Sequence, residues 1–259
     1  MSTPSESIPR LDNAPSLTLT GARLEFGGAP LFEGLDIAIE GGRWTCLLGP
    51  SGVGKTSLLR LIAGLTDAAA GTVTCGDGAP LQGRIAYMAQ QDLLLPWATV
   101  LENVMLGHRL RGARDPQGEV TAQATALLDR VGLRGRGNDR PAALSGGQRQ
   151  RAALARTLME DRAIVLMDEP FSAVDAITRY RLQGLAAELL AGRTVLLVTH
   201  DPMEALRLGD AVHVMAGHPA RLDVPLRPVG ARPRDPGNPE LRAMQADLLR
   251  RLAAAEANP

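Results

Sequence analysis

A mostly parallel α/β fold is predicted for this 259-residue chain by two features of its sequence. Short apolar segments with the length of buried strands alternate with segments of helical period, which is the pattern of an α/β core. A glycine-rich loop also connects one of these strands, Arg43 to Leu48, directly to a helix, Thr56 to Ala63. Strand, loop and helix in that order form an anion site, because the loop N–H groups and the helix dipole favour negative charge at the same place.

The loop fits the phosphate-binding pattern G-x-x-x-x-G-K-[ST] without a mismatch. It comprises Gly49, Pro50, Ser51, Gly52, Val53, Gly54, Lys55 and Thr56, and Ser57 follows on the helix. Lys55 is the only lysine in the chain, and its compact ammonium fits a closed nest of N–H groups for which a guanidinium fork is too wide. Thr56 offers its hydroxyl to Mg²⁺. The helix is expected to turn four apolar residues inward: Leu58, Leu59, Ile62 and Leu65.

The composition argues against several classes of protein. The chain is 45% hydrophobic and has zero formal net charge, so it has material for a core and no global attraction to nucleic acid or anionic lipid. Its two cysteines indicate neither a disulfide framework nor a metal site. No apolar run is long enough to span a bilayer, and residues 1–15 are predicted to be a disordered tail. Two arginine clusters are either solvated faces or a surface for an acidic partner: Arg109, Arg111 and Arg114, and Arg130, Arg134, Arg136 and Arg140.

The region around the phosphate-binding loop is rich in strand signals. These are Leu17 to Phe26, Leu35 to Ile39 and Gly71 to Thr74. A further strand, Ile85 to Ala89, is expected at the centre of the sheet and ends at Gln90. The later core strands are expected at residues 164–168, 194–199 and 211–215, with helices at 176–190 and 202–208 between them.

Two stretches lie outside this alternation. Residues from about 92 to 160 are mainly helical and are expected to form an insertion, with helices at 99–110, 119–131 and 148–159. The proline-rich residues after 225 predict a semi-rigid linker, followed by a helix from Glu240 to Ala255. The apolar stripe of that helix either packs back on the domain or binds a partner as a regulatory extension.

Paired carboxylates, Asp168 and Glu169, end the apolar strand that begins at Ile164. In a phosphate-loop fold this strand lies beside the strand of the loop, which would bring Asp168 near Mg²⁺. Glu169 would then be one residue nearer the γ-phosphate, where a carboxylate polarises the attacking water. An ordinary strand end entering a turn at Pro170 is the alternative.

A second glycine loop precedes the predicted helix at residue 148 and is a candidate second anion site. It consists of Leu144, Ser145, Gly146, Gly147 and Gln148. Taken singly, this loop, Gln90 and His200 are weak signals, because each residue type is common at strand ends and in turns.

Together and in this order, these segments resemble the ATP-binding subunits of ABC transporters over residues 17–222. The matching segments are residues 49–56 (Walker A), Gln90 (Q-loop), residues 144–151 (signature), 164–169 (Walker B) and 172–175 (D-loop), and His200 (switch histidine). The resemblance implies a P-loop NTPase fold: a RecA-like parallel-sheet core, an N-terminal antiparallel β subdomain and an inserted helical subdomain. The implied ATPase domain covers residues 16–225, with the helical subdomain at about 92–160, and residues 226–259 follow it.

The resemblance also implies roles for single residues. Two copies of the domain would sandwich ATP, with the phosphate loop of one copy facing the signature of the other. Lys55 would bind the outer phosphates, Glu169 would be the general base, and His200 would contact the γ-phosphate. Mg²⁺ would be bound by Thr56, Gln90 and Asp168. Asp175 would bridge the dimer seam, and Phe26 would either stack on adenine or be a core residue.

The run Leu94-Leu95-Pro96-Trp97 after Gln90 resembles the importer branch that serves nitrate, sulfonate, taurine and thiamine-precursor uptake, and within it most closely the thiamine-precursor group. In importers this segment meets the membrane subunit, so its apolar side chains are either a docking patch or internal packing of the insertion.

The predicted function is therefore that of an ATP-hydrolysing subunit of an importer for a small polar solute. Its expected partners are a second ATPase subunit, identical or paired, membrane-spanning permease subunits and, indirectly, an external solute-binding protein, with no nucleic acid. The expected location is the cytoplasmic face of the membrane, peripherally bound. The alternatives are a soluble ABC-type ATPase in nucleic-acid or ribosome handling, against which the single phosphate loop and zero net charge argue, a non-hydrolysing scaffold, against which Glu169 argues, and an exporter subunit.

Overall fold

The computed structural model describes residues 14–112 and 114–257, so most of the predicted tail lies outside the described residues. Within that part of the chain there are nine strands and eight α-helices. The strands are β1 (Leu17–Phe26), β2 (Ala29–Ile39), β3 (Trp44–Leu48), β4 (Ala70–Cys75), β5 (Ile85–Met88), β6 (Ile164–Asp168), β7 (Thr194–Val198), β8 (Ala211–Ala216) and β9 (Arg221–Leu222). The helices are α1 (Lys55–Ile62), α2 (Val100–Val104), α3 (Leu106–Leu110), α4 (Glu119–Arg130), α5 (Gly146–Met159), α6 (Ala176–Leu189), α7 (Pro202–Leu208) and α8 (Pro239–Ala257).

The main sheet has six strands in the order β5-β6-β7-β3-β8-β9, all parallel except the short β9. Every residue of β3, β6 and β7 is buried, as expected for central strands covered on both faces. The expectation that β5 is central was wrong, because it forms the edge of the sheet, with Ile85 and Tyr87 only half-buried. An apolar run indicates burial, but the crossover connections decide the order of the strands.

A second, antiparallel sheet has the order β2-β1-β4 and confirms the predicted N-terminal β subdomain. Leu17 and Leu19 point inward and alternate with the exposed Thr18 and Thr20. The inward face shares an apolar cluster with α1. Leu65, predicted to face inward, is 60% exposed, because α1 ends at Ile62 and the chain reverses at a left-handed glycine (Gly64, φ +69°).

Helices α2 to α5 form the predicted helical insertion, and α2, α4 and α5 share the larger apolar cluster with the main sheet. The helix expected over residues 99–110 is divided at Met105 into α2 and α3. Helix α5 begins two residues before its predicted start, because Ser145 caps it. The arginine clusters make ion pairs within the chain, including Arg109–Glu102 and Arg134–Asp129, which favours the solvated-face interpretation.

The C-terminal segment packs on the α/β core. Leu226 pairs with Val212 of β8, and Arg234 is buried. Helix α8 buries Leu241, Leu248 and Ala255 against the larger cluster, so it packs back on the domain, the first of the two alternatives. None of the helices in residues 14–112 and 114–257 is both long and apolar enough to cross a bilayer.

Candidate nucleotide-binding site

The site lies at the carboxyl ends of three adjacent parallel strands, β3, β7 and β6. The expectation that β6 lies directly beside β3 was wrong, because β7 pairs with both and separates them. Strand β3 leads into the phosphate loop, β6 ends at Asp168 and Glu169, and β7 leads to His200. The strand order therefore brings together three motifs that are far apart in sequence.

The phosphate loop requires glycine at two close approaches. A Cβ at Gly49, where φ is +150°, would lie 2.2 Å from the carbonyl oxygen of Met215. One at Gly54, where φ is +110°, would press on the Leu31 side chain at 3.0 Å. Lys55 Nζ donates to the carbonyl oxygens of Gly49 (2.7 Å) and Pro50 (2.8 Å), so its ammonium lies across the loop. Burial lowers the pKa of Lys55, and the carboxylates Glu169 and Asp168 oppose that shift.

Asp168 is buried beneath the first turn of α1. Thr56 Oγ1 donates to its Oδ2 at 2.6 Å, which joins the loop to the end of β6. Burial raises the pKa of Asp168, and the hydrogen bond from Thr56 opposes that rise. A hydroxyl and a carboxylate side by side are the hard oxygen ligands that Mg²⁺ prefers, so these residues fit the ion. No group of three or more His, Cys, Asp or Glu side chains suited to a metal lies in the described residues, and Mg²⁺ bound with nucleotide phosphates needs only one or two protein ligands.

Glu169 has a left-handed backbone conformation, with φ +48°, which is unusual for a residue other than glycine. Its N–H donates to the carbonyl of Val198 (2.9 Å), and its own carbonyl accepts from Gln150 Nε2 (2.8 Å). Its carboxylate Oε2 lies 3.2 Å from Nδ1 of His200, which is 59% exposed. The acid and the histidine are thus paired across the ends of β6 and β7.

Gln150 was missed as a site residue by sequence analysis, although it is buried beside Glu169. Its Nε2 donates to the Glu169 carbonyl and to Ser172 Oγ, while its Oε1 accepts from the Ala173 N–H (2.7 Å). It therefore connects α5 to the turn after Glu169. The sequence predicts that Gln150 lies in the helix after the second glycine loop, but it does not predict that the side chain contacts the turn after Glu169.

The signature loop starts α5. Ser145 and Gln148 form a reciprocal capping box, and Ser145 and Gly146 are exposed. A Cβ at Gly147 would lie 2.8 Å from the carbonyl oxygen of Ala173, so only glycine allows this packing. Within one chain the signature therefore contacts residues 172–175, and its Ser145–Gly146 end is exposed.

Three other predicted residues lie on the surface. Phe26 is 82% exposed, which excludes the interpretation as a core residue. Gln90 is exposed beyond the end of β5. Asp175 caps α6 by accepting from the Thr178 N–H (3.0 Å), and hydrogen bonds from Thr178 lower its pKa.

The family model for ABC transporters matches residues 32–172, which is more than half of the chain. The chain belongs to the ABC transporter family. A Haemophilus influenzae relative called an uncharacterized ABC transporter ATP-binding protein is 42% identical over 90% of this chain and 97% of its own length. An aliphatic sulfonates import ATP-binding protein, SsuB 2 of Burkholderia cenocepacia, is 43% identical over 91% of this chain and 86% of its own. SsuB 1 of Rhodococcus jostii, named for the same role, is 44% identical over 94% and 96%.

Among solved structures, the dimeric ATP-binding cassette MJ0796 in a post-hydrolysis state bound to ADP and Pi is similar, with a TM-score of 0.73. It is 28% identical and covers 83% of this chain and 99% of that one. The predicted P-loop NTPase fold is thus confirmed. This ABC transporter chain is an ATP-binding and ATP-hydrolysing subunit of an importer, and the nucleic-acid and exporter alternatives are not favoured.

The apolar run after Gln90 divides between the two interpretations of it. Of the three apolar side chains in the run, Leu94 is buried in the larger cluster, which is internal packing, Leu95 is half-buried and Trp97 is 70% exposed. Leu93, directly before the run, is 59% exposed. Arg156 on α5 holds this loop of the ABC transporter chain by donating to the carbonyls of Asp92 (2.7 Å) and Leu93 (2.8 Å).

Proposed function

We propose that two copies of this chain, or this chain and a paired ATPase subunit, sandwich Mg-ATP and drive solute import through separate permease subunits. The observation that carries the proposal is the site itself. The carboxyl ends of the parallel strands present the phosphate loop, the Thr56–Asp168 contact and the Glu169–His200 pair together. The dimeric MJ0796 cassettes support pairing of two such domains. So does the exposed Ser145–Gly146 end of the signature, because a second copy can bring it to the phosphates.

In this mechanism the loop N–H groups and Lys55 bind the outer phosphates. Thr56, Asp168 and Gln90 would hold Mg²⁺, which neutralises charge that develops on the phosphates. Glu169 orients the attacking water and accepts its proton, and His200 orients Glu169 and contacts the γ-phosphate. From the second copy, Ser145, Gly146, Gly147 and Gln148 complete the charge cage with their N–H groups and helix dipole. The exposed ring of Phe26 stacks on adenine, and Asp175 lies at the dimer seam.

The permease subunits would dock on the exposed Leu93 and Trp97. A large, exposed aromatic side chain held by a rigid loop is the kind of residue that anchors protein interfaces. This docking places the subunit peripherally on the cytoplasmic face of the membrane. An external solute-binding protein would then act on the permease and not on this chain, and zero formal net charge argues against nucleic acid as a partner.

The solute is proposed to be a small organosulfonate. The support is the name of the SsuB relatives, which are 43–44% identical over more than nine-tenths of the chain. Neither name refers to a thiamine precursor, the group that the Leu-Leu-Pro-Trp run most resembles. Growth of a strain deleted for this chain separates the two: the sulfonate proposal predicts loss of growth on an alkanesulfonate as sulfur source, with normal growth on sulfate. Normal growth on both, with a requirement for a thiamine precursor, would contradict it.

The hydrolytic assignment is tested by Glu169→Gln. Without a carboxylate to accept the proton, kcat should fall by at least about 100-fold, the scale of general-base catalysis, while ATP still binds. Steady-state phosphate release and equilibrium ATP binding measure the two effects. Hydrolysis at the wild-type rate would show that Glu169 is not the base.

A further inference from the structure

The proline-rich segment contains a buried arginine, Arg234, whose side chain is hydrogen-bonded to the C-terminal end of α7. Its Nη1 donates to the carbonyl oxygens of Leu206 (3.1 Å) and Gly209 (2.8 Å), which lie in the last turn of α7 and just beyond it. Its Nη2 and Nε donate to carbonyls of its own segment, those of Pro228 (2.9 Å) and Val229 (3.1 Å). The last carbonyls of a helix have no partner within the helix, and a cation at that end also opposes the helix dipole. Arg234 supplies both the donors and the charge.

Helix α7 is fixed at its other end beside the switch histidine. Asp201, directly after His200, caps the helix by accepting from the N–H groups of Met203 (2.9 Å) and Glu204 (3.2 Å). The helix has only seven residues, so a shift at its C-terminal end moves its N-terminal end as well.

A chain of buried polar groups runs back from the C-terminal segment along α7, with one link, Gln183, on α6. The backbone N–H of Arg234 donates to the Arg207 carbonyl (3.0 Å), and Arg207 Nε donates to the backbone carbonyl of Arg234 (3.2 Å). Arg207 Nη1 then donates to Gln183 Oε1 (2.5 Å), and Gln183 Nε2 donates to Glu204 Oε2 (2.8 Å). All four side chains are buried, so each lost link leaves an unsatisfied polar group.

Glu204 ends this chain next to the hydrolytic pair. A cavity of about 10 Å³, the size of a single water, is lined by Glu204, Thr199 and Asp201 together with Glu169 and His200. The chain from the C-terminal segment therefore reaches the wall of the site beside the hydrolytic pair.

We propose that Arg234 is a positioning residue for ATP hydrolysis: through α7 and the Arg207–Gln183–Glu204 chain it holds His200 against Glu169. The proposal gives the C-terminal segment a role in the rate of turnover. It rests on the proposed function, because it takes Glu169 and His200 as the hydrolytic pair.

The first test compares Arg234→Gln with Arg250→Gln, a matched change on the exposed face of α8, where the Arg250 side chain is 73% exposed. Arg234→Gln should lower kcat roughly tenfold with KM for ATP changed less than about twofold, since a small displacement of a catalytic group slows chemistry without weakening binding. Gln183→Met should lower kcat in the same way, because it cuts the chain and leaves the hydrogen bonds of Arg234 to α7 intact. Arg250→Gln should have no effect.

A double-mutant cycle with His200→Ala shows whether the effect passes through the histidine. Arg234→Gln should reduce residual hydrolysis by less than about twofold in the His200→Ala background, because the group that it positions is already absent. An undiminished tenfold loss in that background would overturn the proposal. Wild-type hydrolysis by His200→Ala itself would instead show that the Glu169–His200 pair assigned in the proposed function is wrong, because the histidine would then have no part in turnover.

Amide hydrogen exchange on the full chain provides a readout without activity. Arg234→Gln and the milder Arg234→Lys should speed exchange at residues 201–205 while β3 and β7 stay protected, since local opening is separate from global unfolding. Uniformly faster exchange over the whole domain would mean that Arg234 only stabilises the fold, and the proposal would be wrong.

Discussion

At the scale of single residues, Lys55 has the most sharply defined surroundings. Its ammonium is half-buried between two loop carbonyls 2.7 and 2.8 Å away, a space that suits three donors on one nitrogen. Lys55→Arg keeps the charge but brings a planar fork, so ATP affinity should fall by at least roughly tenfold, about 1.4 kcal/mol. Calorimetric titration with ATP measures it, with Arg60→Lys on the exposed face of α1 as the matched control. Wild-type affinity in Lys55→Arg would contradict this account of the loop.

Glu204 should make stability depend on pH. Burial raises its pKa from 4.5 to about 7, ahead of the neighbouring charge of Asp201, while Thr199, Gln183 and Arg179 oppose the rise. Between those two pH values the folded chain holds a proton that the unfolded chain releases, so this carboxyl lowers the free energy of unfolding as the pH rises to about 7. The free energy of unfolding of Glu204→Gln, measured relative to that of the wild type, should therefore rise by up to roughly 3 kcal/mol between about pH 4.5 and pH 8.

Urea unfolding of both proteins at about pH 4.5 and about pH 8 measures this difference in the free energy of unfolding. The contributions of the other titrating groups are the same in both proteins and cancel in the difference. Asp223→Asn, at a half-buried carboxyl that lies on the far side of β8, controls for the loss of an acid in general. The same stability difference at both pH values would mean that Glu204 does not titrate in this range.

Sequence pattern predicted candidate site residues that the fold brings together, but not all of their surroundings. Lys55, Thr56, Asp168, Glu169 and His200 were predicted as site residues because each belongs to a motif with a fixed neighbour. Gln150, Arg207 and Arg234 were not assigned roles, because their partners, most of them backbone groups, are brought near only by tertiary packing. Leu65 was misplaced because the helical period was continued past the glycine that ends α1.

At the scale of elements, the N-terminal end of helix α5 is both a capped helix start and the proposed contact with the nucleotide of the second copy. Gly146 is exposed at its first turn, and a Cβ there would meet only the tip of Arg149 at 3.8 Å. Gly184 in α6 is a matched helical glycine with open space around it. Both Gly→Ala changes should keep or raise stability, by up to about 1 kcal/mol. Only Gly146→Ala should lower ATP turnover, because its methyl group obstructs the phosphates of the second copy.

Thermal unfolding and phosphate release from the two variants measure this prediction. Equal turnover in Gly146→Ala and Gly184→Ala would mean that the signature loop does not approach a nucleotide closely.

Element boundaries were predicted to within a few residues where a cap or a glycine marked them, and less well elsewhere. Strand β2 begins at Ala29, six residues before its predicted start at Leu35, because its first half pairs with β1 and is largely exposed. The edge position of β5 depends on where the chain crosses over, for which the sequence carries no local signal.

At the scale of the whole molecule, the chain forms half of the proposed hydrolytic unit. Two apolar clusters hold the α/β core, the β subdomain and the helical insertion around the carboxyl ends of the parallel strands. Those strand ends present the phosphate loop, while the signature of the same chain presents its Ser145–Gly146 end to solvent. The sequence predicted that both glycine loops lie at helix starts, as the structure has them. No sequence motif indicated that the C-terminal segment packs on α7.

The most direct test of the central claim is gel filtration of Glu169→Gln with and without Mg-ATP. With hydrolysis blocked, bound ATP should hold two copies together, so the account predicts a shift from about 27 kDa to twice that mass. The Lys55→Ala, Glu169→Gln double variant should stay monomeric and serves as the control. A monomer at saturating Mg-ATP, with ATP binding verified by titration, would contradict the ATP sandwich.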